Sequence, residues 1–312
     1  MSYYPEKANW IDHLADRSFK SIDILRKRVG KMAALQEPDY TAALVTAFPW
    51  YMNRFKVLPN VKFGGCYVHQ SPMVTFKSKT TGNHETCEAG DLLVLCRKHV
   101  DGKENINATL FQIKNNDEKT KSIVHKIAPK EKIQLELYQD WPVFEIKPSP
   151  IQYDIQPKAI TPGAQYLCIA DGLGICMGEK RLYHSQPAQR MELYNLYTLG
   201  HFILNFIDWQ NGRPISLEKD FKNDPWSNFV WELIHRTMVN PYNRRNVGIH
   251  NQSRTSGDFF MSLLAETRIA DVDDWENTVE YGKIFSNEVF DGISILLISS
   301  HDTLLITNSR RI

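Results

Sequence analysis

The chain has 312 residues, 37 Lys plus Arg against 36 Asp plus Glu, a formal charge of +1 and 42% hydrophobic residues, which excludes collagenous, disordered and coiled-coil architectures and leaves room for a core that needs no disulfide or structural metal. The longest wholly aliphatic run, Ile295-Leu296-Leu297-Ile298, falls far short of the roughly 20 apolar residues that cross a bilayer, and the first ten residues lack the basic start and apolar core of a secretory signal. The expectation is a cytoplasmic chain with no membrane partner and with its five cysteines, at 66, 87, 96, 168 and 176, reduced.

In chain order, Ile22, Leu25, Val29 and Met32 recur at three- and four-residue intervals and predict an amphipathic helix within residues 18–35. Glu37-Pro38-Asp39 predicts a fresh helix start, because proline suits a first turn and acids favour the positive end of the helix dipole. That helix is expected to continue to Phe55, perturbed at Pro49. Residues 61–76 read as short β-segments punctuated by Gly64-Gly65 and Ser71-Pro72. Two apolar runs, 91–96 and 108–114, read as paired, buried strands separated by the turn-rich KHVDGKENIN. KEKIQLELYQDWP predicts a helix ended by Pro142, and the proline-punctuated stretch after it suggests a boundary between a core of residues 1–147 and an α+β region of 148–312 that packs on or extends it. AQYLCIADGLGICMG reads as two strands about a glycine turn, 188–209 and 226–238 as helical, and ISILLISS as a late strand.

Charge is segregated along this order. Residues 50–132 carry 14 Lys/Arg against 8 Asp/Glu, a net of +6, whereas residues 264–291 carry 2 against 8, a net of −6. A basic middle segment suits a phosphate-binding surface, although charge runs are more often simply solvated faces.

The chemistry is concentrated in Asp91, which opens one predicted strand, and in Gln112-Ile113-Lys114 at the end of the next. Alternate side chains of a strand share a face, so Gln112 and Lys114 project together while Phe111 and Ile113 pack on the other side. A lysine leaving an apolar strand needs an anionic partner or a solvent-lined cleft, and Asp91 starts the strand expected beside it.

This set resembles the PD-(D/E)XK, or restriction-endonuclease-like, nuclease superfamily over about residues 37–114, with Gln112-x-Lys114 similar to its Mrr-type branch. The resemblance implies an α/β fold with a mixed sheet flanked by helices, here followed by a mostly helical C-terminal region. It implies metal-dependent hydrolysis of DNA phosphodiesters, in a setting such as bacterial defence or DNA processing. Asp91 matches the metal-binding aspartate, Gln112 the second-strand ligand, Lys114 the lysine beside the attacking water, and Glu37 the helix-borne glutamate of some members. Glu88 is a competing further ligand. The implied cofactor is Mg²⁺, or Mn²⁺ in its place, because such hard cations take oxygen ligands and bridge to phosphate. DNA is the implied partner, with a homodimer or a partner subunit also compatible. The alternative is the same fold without catalysis, binding nucleic acid or a protein.

Other features carry weaker readings. His69-Gln70 could line a cleft, and Arg244, Arg245 and Arg254 lie in a polar, basic loop that could meet nucleic-acid phosphate. The pairs Cys66/His69, His84/Cys87 and Cys96/His99 could form a zinc site, but positions three apart on a strand face opposite ways. Asp171-Gly-Leu-Gly174 reads as a hairpin turn rather than a phosphate loop, and no nucleophile elbow is visible.

Overall fold

The computed structural model describes residues 3–28, 30, 32–68, 72–100, 103–116, 124–126, 131–149, 151–158, 163–170, 174–178, 192–216, 224–239 and 292–301. Helix α1 (Tyr3–Arg28) buries Ala8, Ile11, Ala15, Ile22 and Leu25, spaced to lie along one side. It begins well before residue 18 and ends at Arg28, which corrects the helix expected over 18–35 at both ends. The stop is Gly30, whose φ of 80° suits glycine and whose N–H bonds back to the Lys27 carbonyl at 3.0 Å; Met32 beyond it is 74% exposed. Val29 lies outside the described residues.

Helices α2 (Glu37–Val45) and α3 (Ala47–Phe55) replace the single helix expected to kink at Pro49. The break falls at Thr46, and Pro49 becomes the third residue of the new helix, where no intrahelical donor is required of it. The start of α2 is fixed by Asp39, whose Oδ2 accepts the Gln36 N–H at 2.7 Å while Oδ1 lies 3.2 Å from the Arg26 guanidinium of α1, both side chains being buried. This clamp determines where Glu37 sits.

A nine-stranded mixed sheet forms the centre, made of β1 (Val61–Cys66), β4 (Leu92–Val100), β5 (Lys103–Asn116), β6 (Val124–Lys126), β9 (Ala164–Ala170), β10 (Gly174–Gly178), β11 (Glu192–Thr198), β12 (Arg213–Ile215) and β13 (Ser294–His301). Its order is β1-β13-β4-β5-β9-β10-β11-β6, with β12 added to β5. β13 runs parallel to β4, and β9 parallel to β5. The expected β4–β5 pair is an antiparallel hairpin, but its strands run through almost all of the turn-rich stretch, with pairing as far as Val100 opposite Lys103. Ladder partners on both sides outweigh the turn-prone composition there. Residues on either side of 148 share this sheet, and the β9–β10 hairpin matches the two strands read about a glycine turn.

A smaller antiparallel sheet has the order β3-β2-β7-β8, from β2 (Met73–Lys77), β3 (His84–Glu88), β7 (Phe144–Ile146) and β8 (Gln152–Tyr153). The large sheet is covered on both faces. Leu92, Val94, Phe111 and Ile113 pack with α1, α2, α3 and α5 (Leu199–Ile207), whereas Leu93, Leu95, Leu110 and Ala108 pack with α4 (Lys132–Asp140), α6 (Pro225–Val239) and the small sheet. α4 stops where expected, with Trp141 in a left-handed conformation ahead of Pro142.

Two expectations need correction. Residues 188–209 are not helical throughout: 192–198 form β11, antiparallel to β10, and the helix α5 begins only after the Thr198 cap. Tyr194, Tyr197 and Thr198 favour strand once a partner is present. The C-terminal region is also not mostly helical among the described residues, where β8 to β13 accompany only α5 and α6.

Candidate active site

The β4–β5 hairpin puts Asp91 beside Gln112. Leu92 pairs with Phe111, and the Asp91 N–H continues the ladder by donating to the Phe111 carbonyl at 2.8 Å. One carboxylate oxygen of Asp91, Oδ2, accepts the Ile113 N–H at 2.7 Å, which fixes the acid against the end of β5. Gly90 precedes it because a Cβ there would fall 2.8 Å from both the Leu110 side chain and the Tyr138 hydroxyl. Tyr138, buried on α4, uses that approach to donate to the Ala89 carbonyl at 2.8 Å.

Lys114 shares the face of Gln112 and is 8% exposed. Its Nζ lies 3.4 Å from Glu131 Oε1, at the cap of α4, and 3.7 Å from Glu37 Oε1, in the first turn of α2. Burial alone would depress its pKa, but Glu37, Glu131 and Asp91 together raise it above the ordinary value. Lys114 is therefore a fixed cation. Glu37 is held in turn by the Asn115 N–H at 3.4 Å from Oε1.

The acids on the other side are short of positive charge. Burial, then the adjacent Glu88, pushes the Asp91 carboxyl up to about 8 against the pull of the Ile113 N–H and Lys114. Glu88, at the exposed end of β3, is also raised, by desolvation first and by Glu37, despite opposing effects from Lys114 and a hydrogen bond from Gln112. Among the described residues, no group of three or more His, Cys, Asp or Glu side chains stands closely enough to hold a metal by itself. Asp91 and Glu88 offer hard carboxylate oxygens of the kind Mg²⁺ takes, an ion that commonly binds one or two acids and completes its shell with water and substrate phosphate.

Gln112 is 1% exposed, and its Oε1 accepts from Gln134 Nε2 on α4, which also donates to the Glu88 carbonyl at 3.1 Å. Next to Gln112 on β9 stands Tyr166, 2% exposed, its ring edge-on to Tyr138 at 5.6 Å. Sequence reading missed Glu131, Gln134, Tyr138 and Tyr166. The available signal was on α4, where Gln134 and Tyr138, four residues apart and so on one side of the helix, are buried along with Leu135, Glu136 and Leu137.

His69, Gln70, Arg244, Arg245 and Arg254 lie outside the described residues. Of the zinc pairs, those of Cys66 and Cys96 do not share a site, since these two cysteines are buried in cores on opposite faces of the sheet; burial first, with Glu88 adding, pushes the Cys87 thiol up to about 12. Comparison with protein-family models, with curated proteins and with solved structures gives no match.

Proposed function

We propose that the chain is a metal-dependent nuclease with a restriction-endonuclease-like core that hydrolyses DNA phosphodiester bonds, in a setting such as bacterial defence or DNA processing. The observation that carries this reading is that one end of the β4–β5 hairpin holds Asp91, fixed by the Ile113 N–H, together with the buried Lys114, paired with Glu37 and Glu131. An aspartate at the head of one strand and a lysine at the end of the next are parts of the superfamily pattern, and a helix-borne glutamate is a part that some members add.

Asp91, through the oxygen not engaged by Ile113, and Glu88 would hold Mg²⁺ or Mn²⁺, with Glu37 nearby. The bound ion would polarise a phosphoryl oxygen and lower the pKa of a water. Lys114, kept protonated by Glu37 and Glu131, would donate to the attacking water or to the phosphate oxygens on which charge grows, rather than remove a proton. The raised Asp91 carboxyl would give up its proton to the cation, and the raised values of Asp91 and Glu88 would oppose ion binding most at low pH.

The test is cleavage of plasmid and linear DNA with and without Mg²⁺ by the wild type and by Lys114→Met, which keeps an unbranched side chain of similar length without the charge. The variant should lose about 100-fold or more in rate and keep its circular-dichroism spectrum. Equal turnover would remove the proposal. DNA retention by the wild type with no metal-dependent product would favour the alternative, a nuclease-fold module that binds nucleic acid or a protein partner without chemistry.

A further inference from the structure

We propose that Glu131 is a positioning residue whose carboxylate keeps the Lys114 ammonium compensated while Glu37 turns from the lysine to the cation. The proposal rests on the nuclease reading and deepens it by giving the two acids of the lysine separate duties, one fixed and one exchangeable.

Lys114 is a buried cation at the end of β5, and a buried cation that loses its counter-charge is strongly disfavoured. Its two carboxylate partners are mounted differently. Glu131 Oε1 lies 3.4 Å from the ammonium, and the Glu131 side chain is 13% exposed. Glu131 caps α4, and Gln134 and Tyr138, three and seven residues further on, share its side of that helix. Gln134 donates to the Gln112 side chain and to the Glu88 carbonyl, and Tyr138 donates to the Ala89 carbonyl. The side of α4 that carries Glu131 is thus fastened to β5, to the end of β3 and to the residue after it. Glu131 has little room to leave the lysine.

Glu37 is held loosely. Its side chain is 38% exposed, its Oε1 stands 3.7 Å from the ammonium, beyond hydrogen-bond range, and the Asn115 N–H reaches the same oxygen only at 3.4 Å. A glutamate so exposed, in the first turn of α2, has other rotamers open to it. When Glu37 moves to a divalent ion, Lys114 and Glu131 remain behind as a neutral pair. Without Glu131 the same move would strand the ammonium, so the lysine would hold Glu37 back. Glu131 therefore sets how readily Glu37 is released, without touching the ion.

The experiment asks whether the effect of Glu131 needs both of the other partners. Mn²⁺ binding to the full chain is titrated calorimetrically for the wild type, E131Q, K114M, E37Q and the double variants K114M/E131Q and E37Q/E131Q, with thermal unfolding of each as a control. E131Q should weaken Mn²⁺ binding by about tenfold, the size typical of a neighbour that acts on a ligand. Adding E131Q to K114M or to E37Q should change affinity by less than about threefold, a coupling that independent sites do not show. Unaltered affinity in E131Q overturns the proposal. So does an equal loss in all three backgrounds, since Glu131 would then be a ligand itself or a support for the whole site. If E131Q alone does not fold, K114M against K114M/E131Q, which lacks both members of the ion pair, decides in its place: equal affinities uphold the proposal, and a loss of about tenfold overturns it. A wild type that binds no Mn²⁺ removes the nuclease reading together with this proposal, whereas wild-type binding without the coupling removes this proposal alone.

Discussion

Helix α4 separates two groups of acids that are treated in opposite ways. Glu136, on one side, is buried against the β2–β3 turn and accepts from the Ser78 hydroxyl at 2.7 Å and the Lys79 N–H at 2.5 Å, with the Thr80 N–H at 3.4 Å. Although desolvation opposes it, these donors hold the Glu136 carboxyl below the ordinary value. On the side of Gln134 and Tyr138, burial raises both Asp91 and Glu88, Glu88 raises Asp91 further and Glu37 raises Glu88, and the nearby lysine is already paired with Glu37 and Glu131. An acid that fastens one element to another is given enough donors to stay ionised. Acids left short of positive charge in a partly open position are suited to take up a cation from outside, and perturbed groups of this kind gather at functional sites.

The contrast can be broken by mutation. Asp91→Asn should reduce metal-dependent cleavage by about 100-fold or more while the chain remains folded, as read by initial rates and circular dichroism. Glu136→Ala should act the other way. It leaves the turn's buried donors without an acceptor, so it should cost on the order of 2–3 kcal/mol in denaturant unfolding, with the Mn²⁺ affinity of the folded fraction unchanged. A change in affinity without a loss of stability would mean that α4 does not divide the two roles.

The pH dependence of stability sharpens the same comparison, with a smaller expected effect. Asp91 ordinarily titrates near 3.8 and in the fold near 8, so between those values the folded chain retains a proton that the unfolded chain has lost. Stability from this group is greatest below its unfolded value and falls as pH rises through about 8. Glu136, being lowered, contributes stability above its unfolded value and loses it as pH falls through its folded value. Unfolding temperatures of Asp91→Asn should therefore decline less than those of the wild type as pH rises from about 5 to 8; parallel profiles would count against the raised carboxyl. The smallest effect belongs to Lys79→Ala, whose exposed pair with Asp140 at 3.2 Å should change stability by less than about 0.5 kcal/mol.

Sequence made the β5 half of this arrangement readable because a strand's period of two ties Gln112 to Lys114, and the short link to the preceding strand places Asp91 opposite them. Glu37 was readable from Pro38 and the acids of a helix start. Glu131, Gln134 and Tyr138 were not, because their meaning depends on α4 folding back across β3 and β5, and nothing in the local pattern of KIQLELYQD states which strand it will cover. β13 shows the same limit: its apolar run announces a strand, but its place between β1 and β4 is set by pairing with residues more than 190 positions away. The break at Thr46 was missed because Pro49 is the more conspicuous residue, yet proline in a first turn obstructs nothing.

The central claim is that Asp91 and Glu88 form an acid pair fitted to one divalent cation beside a permanently charged Lys114. Its most direct measure is electron paramagnetic resonance of Mn²⁺ titrated into the wild type and into Asp91→Asn at a fixed pH near 8. The account predicts saturable loss of the free-ion signal with the wild type and little loss with the variant; identical titrations would contradict it.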